Sequence, residues 1–219
     1  FSLNMDYLDE PIPGPTSNWM IKQSAKHDFT IMGSFPFDDG EGRRYNRLFV
    51  AQPDGKTAHY DKRHLFSFAK ENEFFNRGDE RLTVEVDMTP ICPLICYDLR
   101  FPVWSRNSEN SEFGMYEVLI YVANWPEKRE KAWSDLLVAR AHENQCYVIG
   151  VNRVGKDGNG ISYSGNSVVI GPKGEVLADA SPHQEGWILH ELEFDIEGFY
   201  AFRDNFPALD DADDFEITS

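Results

Sequence analysis

The chain has 219 residues and a formal charge of -16, with a pI near 4.7. That length suits one hydrophobic core, and that charge excludes a nucleic-acid or anionic-membrane surface, which needs clustered Lys and Arg. No run approaches the roughly 18 apolar residues of a membrane span, no basic start leads into an apolar stretch as in a signal peptide, and three cysteines form no disulfide framework, so a reducing, cytoplasmic setting is expected.

Taken in chain order, the segment 29–35 reads as a strand, and 45–51 and 56–60 form a hairpin around the turn Gln52-Pro53-Asp54-Gly55. Residues 82–86 alternate as a half-buried strand does, whereas 91–96 and 118–123 are apolar throughout, as strands covered on both faces are. The clearest helix spans about 127–145. It opens after Pro126 with Glu127 and Glu130, and it sets Trp133, Leu136, Leu137 and Ala141 on one face. Residues 147–152, 167–170, 175–178 and 187–192 add strands, the middle two joined by the turn Gly171-Pro172-Lys173-Gly174. A layered α/β domain over residues 1–219 follows, with no repeat or linker dividing it. The acidic cluster 210–214 reads as a solvated tail.

Cys96 stands where an apolar strand gives way to the turn-prone Tyr97-Asp98-Leu99-Arg100-Phe101-Pro102. On spacing alone it could be a buried strand cysteine, as Cys92 is expected to be. A nucleophilic reading requires positive charge close by to lower its pKa, and Asp61-Lys62-Arg63-His64 would supply it if folding brought the two together. No HExxH or CxxC spacing suggests a metal, and 160–165 falls one residue outside a serine-nucleophile elbow. Arg140 and Glu143, three apart on one helix, are expected to form an internal or intersubunit ion pair.

The run from Tyr60 to Phe66 resembles the lysine motif of the nitrilase, or carbon-nitrogen hydrolase, superfamily, and that from Cys96 to Pro102 resembles its cysteine motif. Matches at 121–126, 139–145 and 151–155 follow in order, and the wording is nearest the omega-amidase branch, which acts on amides of 2-oxo dicarboxylic acids. The resemblance implies a four-layer αββα sandwich, usually dimerised, that hydrolyses a C–N bond of a small amide through a cysteine thioester, without metal or other cofactor. On this reading Cys96 is the nucleophile, and Lys62 with the Tyr97 N–H binds the oxyanion. Glu71 is the second glutamate near the site, with Glu73 as its close rival. Arg100 either grips a substrate carboxylate or pairs with Asp98, and Asn124 and Trp125 line the acyl pocket unless Trp125 belongs to the core. One departure stands out: the first triad glutamate, the general base, has no counterpart here. Residues 1–4 look like the segment just after it, so the chain is expected to lack the first strand, helix and second strand of the fold. Glu10 and Glu41 follow no apolar strand and are poor replacements.

Overall fold

The computed structural model describes residues 9–108 and 113–213; residues 1–4 and Asp214, both part of the sequence reading, lie outside that range. The first element is a helix that the strand-rich reading did not anticipate, α1 (Pro15–His27). Proline at its first turn already has a helical φ and leaves no N–H unpaired. Both oxygens of Glu10 accept from the Thr16 N–H, at 3.0 and 3.1 Å, so Glu10 serves a helix end.

Strands β1 (Ile31–Asp38), β2 (Arg44–Ala51) and β3 (Thr57–Asp61) make an antiparallel sheet in that order. The expected 52–55 turn joins the last two, with the Gly55 N–H donating to Gln52 O at 3.0 Å. Side chains alternate across this sheet. Phe35, Phe49 and Ala51 pack against Met20 of α1, while Leu48, Val50 and Tyr60 enter the main core. After β3 the chain passes through the short α2 (Glu71–Phe74) into β4 (Val84–Val86), β5 (Thr89–Ile95) and β6 (Val118–Ala123). Helix α3 (Glu130–Asn144) follows, preceded by a 3-10 turn over Glu127–Arg129, and then come β7 (Tyr147–Asn152) and the separate ladder of β8 (Val154–Lys156) and β9 (Ser162–Ser164). Strands β10 (Val168–Ile170) and β11 (Val176–Asp179) complete a second sheet of order β11-β10-β7-β6-β5-β4, whose central β5, β6 and β7 run parallel. Near the end, α4 (Ala201–Asn205) leads into the last described residues.

The layers are therefore α1, the three-stranded sheet, the six-stranded sheet and α3, the expected αββα arrangement. Trp133, Leu137 and Ala141 of α3 are fully buried against the face of β7 that carries Gly150. A Cβ at Gly150 would stand 2.6 Å from Leu137 Cδ1 and 2.9 Å from Trp133 Cζ2, so helix and sheet approach closely because that side chain is missing. Gly150→Ala is expected to destabilise the protein by about 1–3 kcal/mol through overpacking, measured as a lowered urea midpoint with an unchanged slope.

The expected strand at 187–192 is not formed. Trp187 and Leu189 are 99% and 97% exposed, and no described strand pairs with the segment. An apolar pattern becomes a strand only where a neighbour supplies the other half of the hydrogen-bond ladder. Leu192, the last residue of the segment, and Phe194 beyond it do find cover, packing with Phe199 on Val118 and Tyr147.

Candidate active site

A cavity of about 330 Å³ opens between the two sheets at the end of β5. β5 stops at Ile95, and Cys96 begins a 3-10 turn with φ at +46°. That left-handed conformation costs a non-glycine residue on the order of 1–3 kcal/mol and is over-represented at functional sites. Here it turns the thiol out of the sheet and into the cavity, with Sγ 3.9 Å from Asn124 O.

Asp98 holds this turn in place. Its fully buried carboxylate accepts from the Ile95 N–H (3.0 Å), the Tyr60 hydroxyl (2.8 Å) and the His64 N–H (3.1 Å). The lysine motif and the cysteine motif are thus tied to one carboxylate. Arg140 adds a second anchor, donating to Leu99 O at 2.7 Å and pairing with Glu143 at 2.8 Å as its spacing implied.

Lys62, just past β3, is 3% exposed. Its Nζ donates to Glu71 Oε2 at 2.6 Å, and Glu71 also accepts from Asn46 Nδ2 (2.9 Å) and the Phe66 N–H (2.6 Å). Glu73, the rival, lies on the surface beside Lys70 at 3.6 Å, so of the two it is Glu71 that meets Lys62. The loop bearing Glu71 is closed by Gly78, whose N–H donates to Lys62 O at 3.0 Å. A side chain there would collide with Asp61 O at 2.2 Å.

Arg100 does not pair with Asp98, whose oxygens are taken. Its guanidinium lies 5.0 Å from the Trp125 ring centroid and lines the cavity. Trp125 is both wall and core, since it lines the cavity and packs on Trp133 at 5.5 Å. Asn124 and Tyr97 complete the predicted lining. Cys92 is wholly buried, and burial pushes its thiol up to about 12, which leaves it inert. Glu41 pairs with Arg43 on the surface.

The carbon-nitrogen hydrolase profile matches residues 3–200. The chain belongs to the carbon-nitrogen hydrolase family. It is 46% identical over 198 residues to an omega-amidase (YafV) of Yersinia enterocolitica, covering 90% of this chain and 74% of that one. A 2-oxoglutaramate amidase of Bacillus subtilis is 32% identical, with 95% and 78% covered. Among solved structures, a CN-hydrolase superfamily protein of Xanthomonas campestris with an arsenic adduct in its active site superposes with a TM-score of 0.90 at 40% identity, covering 96% of this chain and 79% of that one.

In this carbon-nitrogen hydrolase the electrostatics of the thiol differ from expectation. Burial pushes Cys96 above its ordinary value, and Glu71 adds to the rise, while Lys62 pulls the other way without prevailing. Burial alone would lower Lys62, but Glu71 foremost, then Cys96 and Asp98, hold its ammonium above the usual lysine value. The resting pair is therefore a neutral thiol beside a firmly protonated amine. Alkylation of Cys96 by iodoacetamide should accelerate only as pH rises past the ordinary thiol value of 9.0. Lys62→Met, lacking the ammonium that favours thiolate, should move that midpoint higher still. A midpoint near neutrality in the unaltered protein would contradict this.

Sequence reasoning missed Asn46, Asp98 as an organiser, and Arg129. Asn46 had a visible signal, being the polar member of the inward-facing series Asn46, Leu48, Val50 on β2. Asp98 was read only as a partner for Arg100. Arg129 lies in a segment that looked like an ordinary helix start.

Proposed function

We propose that this hydrolase is an omega-amidase, cleaving the terminal amide of a 2-oxo dicarboxylic acid monoamide through a Cys96 thioester. The observation that carries the reading is the convergence of Cys96, Lys62 and Glu71 on a cavity that also presents the guanidinium of Arg100. The names borne by the relatives above point to the same substrate class.

The Cys96 thiol passes its proton to a general base, which later returns it to the leaving nitrogen, as the sulfur attacks the amide carbon, and the developing oxyanion is met by the Lys62 ammonium and the Tyr97 N–H. The latter belongs to the first turn of a helix, where N–H groups have no intrahelical acceptor. The C–N bond then breaks, ammonia leaves after taking a proton, and water cleaves the thioester to give the diacid and free Cys96. Glu71 fixes Lys62. Both its oxygens are engaged, and it is the only carboxylate lining the cavity among the described residues, so it is not the base. The resemblance assigns that role to another glutamate, the first of the triad.

A homodimer or higher homo-oligomer and a cytoplasmic setting are parts of the same proposal, the second supported by three free cysteines. Light scattering reads the first. The decisive experiment is ammonia release from 2-oxoglutaramate, accompanied by the intact mass of the protein used. Release supports the reading; hydrolysis of simple amides or nitriles but not of 2-oxoglutaramate sinks the omega-amidase assignment and favours another activity of the family.

A further inference from the structure

A chain with an overall charge of -16 has gathered cations around this one cavity. Lys62, Arg100, Arg129 and Arg153 line it, facing Glu71 as the sole lining carboxylate among the described residues. Lys62 is neutralised by Glu71. Arg153 is engaged over the Tyr163 ring at 4.8 Å and donates through Nε to Val154 O at 3.4 Å. Arg100 and Arg129 differ, since neither guanidinium has a hydrogen bond or ion pair among the described residues.

Arg129 ends the 3-10 turn that leads into α3, and its carbonyl accepts from Trp125 Nε1 at 2.8 Å, which fixes the backbone from which the side chain departs. The guanidinium lies 5.2 Å from the Phe66 ring centroid and 6.0 Å from that of Phe68. Phe66 in turn sits 4.8 Å from Tyr97, the neighbour of the nucleophile. Arg100 lies 5.0 Å from the ring centroid of Trp125, whose Nε1 donates to the Arg129 carbonyl. Stacking occupies the flat face of a guanidinium and leaves its N–H edge free for in-plane hydrogen bonds. A 2-oxo acid group offers three acceptor oxygens, and one bidentate fork satisfies only two of them.

We propose that Arg129 is a specificity-determining residue, the second guanidinium of a clamp that with Arg100 holds the carboxylate end of the substrate and selects monoanionic amides over neutral ones. The proposal rests on the omega-amidase reading for its substrate but can be tested apart from it. Two variants serve. Arg129→Met keeps the apolar stem over Phe66, and Arg129→Lys keeps the charge without the fork.

The measured quantity is the ratio of kcat/KM for 2-oxoglutaramate to that for pentanamide, a neutral amide of the same chain length. In Arg129→Met the ratio should fall roughly ten- to hundredfold, the range for losing a charge-assisted hydrogen bond, chiefly through KM, with Arg129→Lys between it and the unaltered enzyme. Equal loss on both substrates would mean a structural role and overturn the clamp. Glutarate binding followed by calorimetry reads the clamp without turnover, and it should weaken by a similar factor in Arg129→Met. If 2-oxoglutaramate is not hydrolysed, the omega-amidase reading fails and glutarate alone decides: binding that weakens in the variant supports the clamp, while no binding, or binding untouched by the substitution, overturns it.

Discussion

Cys96→Ala is expected to reduce amide hydrolysis to background, whereas Cys92→Ala and Cys146→Ala should stay within a few-fold of the unaltered enzyme. The contrast comes from placement. Cys92 and Cys146 are both fully buried and lie away from the cavity lining, whereas Cys96 alone of the three opens into it. Among the described residues no other nucleophilic side chain lines the cavity at the end of β5 in the same way; Ser34, the one lining hydroxyl among them besides that of Tyr97, is carried on β1 of the opposite sheet. Removing the thiol should therefore leave nothing that can form the acyl intermediate. Alanine also relieves none of the backbone strain at φ +46°, so the variant should fold with stability close to that of its parent. Ammonia release and a thermal melt on the same preparation check both statements. Substantial turnover in Cys96→Ala would end the thioester mechanism.

Lys62→Met should lose about 10²–10³ in kcat, the usual consequence of deleting one oxyanion donor, and it should also cost stability. Lys62 and Glu71 form a nearly solvent-free pair, with side chains 3% and 2% exposed. Taking away one partner leaves the other buried and uncompensated, which typically costs 3–5 kcal/mol. Loss of activity in the single variant would thus mix two causes. Pairing Lys62→Met with Glu71→Gln removes the stranded charge while leaving the amide able to bond Asn46 or the Phe66 N–H. The double variant should regain most of the stability and none of the activity. Recovery of both would show that Lys62 only supports the fold; recovery of neither would show that the carboxylate does more than fix the amine. A pH consequence follows from the same pair. Because Lys62 is held above its usual value, its contribution to stability is complete below the unfolded lysine pKa of about 10.4 and is lost as pH rises through the folded value, so it is constant across the neutral range.

Much of the fold was legible without coordinates because the parallel core strands announce themselves by composition. Residues 118–123 appear with their expected bounds, since a strand covered on both faces is apolar along its length, and 147–152 match their expected bounds as well. The 52–55 turn was equally plain, its Gly55 taking φ +89° as the residue type allows. Helix α1 was harder to see. Its buried residues are Ser17, Met20 and Ser24, a face too polar to stand out, and it packs through small side chains that hydrogen-bond the backbone, Ser24 Oγ reaching Phe29 O and Ala51 O. The segment 187–192 failed in the opposite sense, carrying the composition of a strand but no ladder partner.

The sequence by itself determined the reagents: a cysteine at a strand end, a lysine in a charged turn, a glutamate nine residues on, and motifs whose order marks a carbon-nitrogen hydrolase. Tertiary structure decided which of them meet and in what charge state. Lys62 belongs to one sheet and Cys96 to the other, and only the packing of the two sheets, with Asp98 bonded to both motifs, puts them on one cavity. That Glu71 rather than Glu73 meets Lys62 depended on a turn of helix that buries one and exposes the other. The freedom of Arg100 depended on Asp98 being already satisfied. The thiol's raised pKa is likewise a product of burial, a quantity belonging to the folded surroundings, which outweighs the neighbouring ammonium that the sequence alone had suggested would prevail.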